Sequence, residues 1–87
     1  MVAAAPQKIK TNKLGEAVLN ILNGKVGAIV AQAMLDKQCT AIGVSPVSLR
    51  KDHLEPLAQR IEHVLIIFGH DGKESGNRIR ALKDISL

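Results

Sequence analysis

Eighty-seven residues without a marked shift in composition leave room for one domain and one core. A chain this short hides only a little more than ~60% of its unfolded surface, so every apolar face has to be used. The apolar residues are aliphatic apart from Phe68, with neither Trp nor Tyr, which removes a base-stacking platform and the aromatic anchors of tight interfaces.

Twelve Lys and Arg against eight Asp and Glu leave a formal charge of +4, an excess that permits an anionic partner without demanding one. A single cysteine, Cys39, excludes an internal disulfide. Residues 1–6 lack the apolar core of a signal peptide. The longest apolar run, residues 26–35, falls short of the ~20 residues a membrane span needs. A soluble, cytoplasmic protein with no membrane partner is expected.

In chain order, residues 1–10 show no periodicity, and Pro6, Lys8 and Lys10 read as a flexible N-terminal arm. Residues 11–87 read as a single helical domain. The spacing of Leu14, Val18, Ile21 and Leu22 predicts a first helix over about 12–23, capped by Thr11 or Asn12 and ended by Asn23-Gly24. A second helix is predicted over about 25–42, closed by Gly43. Val26, Ile29, Val30, Ala33 and Met34 form its apolar stripe, and Gly27, Ala28, Ala31 and Leu35 carry apolar surface almost round it. A helix apolar on nearly all sides is normally enclosed, so helix two is expected at the centre, its spare side covered by other helices or by a second copy. Gly27 and Ala31, four apart, would admit another backbone closely.

Residues 44–49 form a turn-rich connector in which Ser45 or Ser48 can cap a turn. Leu54, Leu57, Ala58, Ile61, Val64, Leu65 and Phe68 predict a third helix over about 53–68. Asp52 and Glu55 have capping-box spacing, but Pro56 would then sit where an intrahelical N–H is needed, which leaves the first residue open. Residues 64–68 alone would suit a buried strand, yet no second strand-like run exists to pair with them. Asp71 and Glu74 repeat the capping-box spacing and start a fourth helix over about 72–84, its inner face Ile79, Leu82 and Ile85. The fold class is all-α, a small four-helix bundle.

Motifs for chemistry are weak. Cys39, His53, His63 and His70 share no i, i+3 or i, i+4 spacing, so no metal site, cofactor or catalytic residue is assigned. Residues 69–76 hold three glycines and Lys73 at a helix start, a place that attracts anions. Their order is not that of a P-loop, and Asp71 and Glu74 would oppose a phosphate. A helix-turn-helix is disfavoured by a connector of about ten residues and by a would-be recognition helix opening His53-Leu54-Glu55-Pro56.

Three runs in order, Gly27-Ala28-Ile29-Val30, Ala41-Ile42-Gly43-Val44-Ser45-Pro46 and Leu54-Glu55-Pro56-Leu57-Ala58, resemble small helical accessory domains of prokaryotic signalling proteins, including some serine/threonine kinases and response regulators. The resemblance covers about residues 24–68 and departs from those domains at Gly27-Ala28, where a proline is common. It implies a helical interaction module and carries over no catalytic residue.

Two functions follow as expectations. The first is a non-catalytic protein-interaction or regulatory module, homodimeric through a helix-two interface of Gly27, Ala28, Ala31 and Leu35. The alternative is a small basic nucleic-acid-binding protein using Lys8, Lys10, Lys13, Lys73, Arg78, Arg80 and Lys83, which requires the arm to fold back near helix four.

Overall fold

The side-chain oxygen of Asn12 accepts the Gly15 N–H at 2.8 Å and so starts the first helix, α1 (Lys13–Val26). The same side chain donates from Nδ2 to the Leu49 carbonyl at 2.9 Å, and the Asn12 N–H donates to the Pro46 carbonyl at 3.0 Å. One residue therefore caps the helix and ties it to the connector at Pro46 and Leu49. These contacts belong to a computed structural model that describes residues 10–85. Among them all regular structure is helical and no strand occurs, with three further α-helices: α2 (Ala28–Ala41), α3 (Leu54–Ile67) and α4 (Gly72–Ala81). Short 3₁₀ turns, Lys51–His53 and Leu82–Asp84, precede α3 and follow α4. Of the expected arm, only Lys10 falls within the described residues.

The break between the first two helices lies at Gly27, not at Asn23-Gly24. Val26 keeps the i, i+4 spacing begun at Val18 and Leu22 and packs on the core, so α1 runs through Gly24, whose cost in a helix is ~1 kcal/mol. Gly27 has φ +82°, a conformation glycine reaches without steric cost. It alone joins α1 to α2, donating to the Asn23 carbonyl at 3.2 Å and accepting from the Ala31 N–H at 2.9 Å.

Helix α2 faces inward on a stripe turned away from the predicted one, with only Met34 common to both. Ala31, Met34, Leu35, Gln38 and Cys39 are buried, whereas Ile29 and Val30 are 65% and 42% exposed and Ala33 is exposed too. One helical repeat further on explains the choice. Residues seven after Ile29 and Val30 are Asp36 and Lys37; seven after Ala31 and Leu35 come Gln38 and Ile42. The second stripe stays neutral for the whole helix, and its one amide is satisfied, because Arg60 Nε donates to Gln38 Oε1 at 3.0 Å.

The 3₁₀ turn Lys51–His53 resolves the proline conflict. The α-helix begins at Leu54, so Pro56 lies in the first turn, where N–H groups lack intrahelical acceptors. No Asp52–Glu55 box forms: the Arg50 N–H donates to His53 Nδ1 at 3.0 Å, and Glu55 turns to Arg80. Leu54, Leu57, Ala58, Ile61 and Leu65 are buried. Residues 64–67 are helical rather than extended, and Ile66, Ile67 and Phe68 are 63%, 69% and 56% exposed, correcting the inward placement of Phe68.

Helix α4 explains that exposure. Asp71 caps it through the Lys73 N–H at 3.1 Å, while Glu74 pairs with Lys25 on α1 at 3.4 Å instead of completing a box. Gly72 and Gly76 both lie against Glu62, and Arg80 further along reaches Glu55, so α4 runs antiparallel to α3. Because α4 begins beside Glu62, the last turn of α3 projects past it. Ile79 and Leu82 are buried, but Ile85 is 44% exposed. Within one chain helix two is thus not enclosed. No helix among the described residues is long and apolar enough to cross a membrane.

Candidate functional site

The exposed apolar residues of α2 and α3 meet. Val30, Ala33, Met34 and Lys37, at i, i+3, i+4 and i+7 on α2, line a hollow of about 220 Å³ with Val64 of α3 and Phe68 just past its end. The hollow continues at one end between Lys25, Val26, Val30, Phe68 and His70. At the other end it continues between Lys37, Gln38, Gln59, Arg60, His63 and Val64. Ile29 stands outside it on α2, and Ile66 and Ile67 on α3, all more than 60% exposed. Apolar patches of this kind on a small domain mark interaction surfaces.

The fixed charges that line this face, Lys25, Lys37 and Arg60, are cationic. Lys25, Lys37, Arg60, His63 and His70 line the three hollows, and no carboxylate does. Lys25 is engaged by Glu74 and Arg60 by Gln38. Lys37 and His63 are exposed.

The four residues expected to form the helix-two interface do not share a surface. Ala31 and Leu35 are fully buried in the chain's own core, while Gly27 and Ala28 are exposed at the helix break. The interface-capable residues of α2 are Ile29, Val30 and Ala33. The sequence signal for them was the same apolar run, read in the wrong phase.

The basic residues are only partly gathered. Lys8 lies outside the described residues. Lys10, Lys13, Lys73, Arg78 and Lys83 are exposed. Arg80 is taken up by carboxylates: its guanidinium donates to Glu62 Oε2 and Oε1 at 2.6 and 3.2 Å and to Glu55 at 2.8 Å. These partners raise its pKa, Glu62 first, and already occupy the guanidinium. Lys13 does have cationic neighbours, but they are Arg50 and Lys51, which line a hollow of about 420 Å³ with Asn12, Leu14 and Leu49. Arg50 also faces Asp52 at 3.7 Å.

Cys39 is completely buried, and burial, reinforced by Asp36, pushes its thiol up to about 11. It therefore stays protonated near neutral pH, unlike a nucleophilic thiolate. Among the described residues no group of three or more His, Cys, Asp or Glu is arranged to hold a metal ion. Compared with protein-family models, characterised proteins and solved structures, the chain matches none, so the reading of its function rests on its own geometry.

Proposed function

We propose that this chain is a non-catalytic protein-interaction or regulatory module, and that its docking surface is the α2–α3 face. One observation carries the reading. In a chain too small to waste apolar surface, Val30 and Phe68, 42% and 56% exposed, line one continuous hollow, and Ile29, Ile66 and Ile67 are left more than 60% exposed on the same two helices. Helix two gains the central position expected of it, within a complete bundle, only once something covers that face. Self-association through helix two is one way to do so, and would use Ile29, Val30 and Ala33 in place of Ala31 and Leu35.

An amide-shift titration tests the assignment. Isotope-labelled protein is titrated with amphipathic helical peptides, and separately with mixed-sequence duplex DNA and RNA at two salt concentrations. Peptide-induced shifts at Val30, Ala33, Val64 and Phe68 are expected. Salt-sensitive shifts from nucleic acid at Lys13, Arg50, Lys51 and Lys83, with none at the α2–α3 face, would replace this reading by the basic-surface one.

A further inference from the structure

We infer that the occupant of the α2–α3 face is an amphipathic helix of another protein, carrying acidic side chains beside its apolar stripe. The inference rests on the docking reading above and adds the chemistry of the partner.

Shape supports a helix. The lining residues of α2 recur at i, i+3, i+4 and i+7, and those of α3, Arg60, His63 and Val64, recur at i, i+3 and i+4 on the facing helix, with Phe68 just past its end. Two such rows leave between them a trough that a third helix can enter, as amphipathic helices enter grooves elsewhere. Along α2 the trough runs from Val30 to Gln38, eight residue steps or about 12 Å at 1.5 Å per residue, which matches a little over two turns of helix.

Charge selects the partner. The charged side chains lining the trough are Lys37 and Arg60, one on each wall, and Lys25, which Glu74 engages. A second copy docked face to face would set Lys37 and Arg60 close to the same two residues of its partner. Like charges so placed oppose association. A helix with Asp or Glu flanking its apolar stripe meets cations on either side instead, while its apolar residues cover Val30, Ala33, Val64 and Phe68. Concavity also distinguishes this site from a membrane-binding face, in which the apolar side of a single helix lies flat on lipid.

The test uses two synthetic helical peptides of four turns with one leucine stripe, flanked by Glu in one and by Lys in the other. Binding is read from amide shifts of the whole chain at low and high ionic strength. The acidic peptide should bind about tenfold more tightly at low salt, a factor that two or three surface ion pairs supply, and the gap should narrow at high salt. In the Lys37→Glu/His63→Glu variant, which spares Arg60 and its bond to Gln38, the preference should invert while the fold is kept, as checked by circular dichroism. Equal binding of both peptides at the face would overturn the charge assignment and leave the docking reading standing. Failure of both peptides, with a dimer in sedimentation, would give the face to a second copy. Failure of both with a monomer would sink both readings, and binding only to anionic vesicles would give the face to lipid.

Discussion

Gly72 rests directly on the main chain of Glu62: a methyl group built on it would collide with the Glu62 carbonyl. Gly76, one turn later, lies over the Glu62 side chain, and between them Ser75 is fully buried. This seam of small residues lets α4 approach α3, and it explains two glycines and a serine in one short helix. Gly72→Ala should therefore destabilise by about 1–3 kcal/mol through overpacking, despite alanine's better helix propensity. Gly76→Ala should cost less, since a side chain rather than backbone has to yield. Ser75 Oγ finds no hydrogen-bond partner among the described residues, so Ser75→Ala should leave the melting temperature unchanged or raise it. Chemical denaturation of the three variants checks the order.

Arg80 fastens the same seam from the far end. It spans Glu62 and Glu55, and its side chain is 26% exposed against 20% for Glu62. Arg80→Ala should cost about 1–2 kcal/mol, because a half-buried carboxylate loses its bidentate partner. The Arg80 hydrogen bond, then its charge, holds the Glu55 carboxyl below its ordinary 4.5. A folded-state value depressed in this way adds stability that is present above the unfolded value and disappears as pH falls through the folded one. Wild type should thus melt above Glu55→Gln at neutral pH, with the gap closing as pH drops below about 4.5. Melting curves across the acid range provide the check, and a constant gap would count against the ion pair.

Asn12 has two roles that can be separated. Its oxygen caps α1, and its nitrogen holds Leu49, thirty-seven residues away. Asn12→Ala should lose both and cost about 1–2 kcal/mol. Asn12→Asp keeps the cap and deletes only the donor, so its loss should be roughly half as large. Equal losses in thermal unfolding would mean that the link to Leu49, not the cap, is what matters.

Local chemistry was readable in the sequence, and long-range chemistry was not. Asn12 and Asp71 were recognisable as caps because the cap and the N–H it serves are two or three residues apart. Four helical stretches stood out for the same reason. The break at Gly27 was obscured by Gly24, since a lone glycine can either end a helix or sit inside one. Glu55 and Glu74 had capping-box spacing, but partners from other helices, Arg80 and Lys25, claimed them. Phe68 kept core periodicity, and only the landing point of α4 on Glu62 leaves it outside. The candidate face was half legible: the excess apolar surface of helix two was evident, while which side was the excess depended on Gln38 finding Arg60 across the fold.

That phase makes the sharpest prediction about helix two. Ala31 and Ile29 are two residues apart, yet Ala31 is fully buried and Ile29 is 65% exposed. A glutamate at Ala31 would place an unpaired carboxylate in the core, at a cost of about 3–5 kcal/mol, a large share of the stability of a domain this small. Ala31→Glu is therefore expected to unfold the chain or drop its melting temperature sharply. Ile29→Glu puts the same group in water near the start of α2, where a negative charge is favoured, and should change stability by less than about 0.5 kcal/mol. It should nevertheless weaken docking of an acidic helix, since it places a carboxylate at the edge of the face. If the two variants melt alike, or Ile29→Glu is the one that unfolds, helix two is buried in the phase its apolar run first suggested, and the α2–α3 face is not a surface.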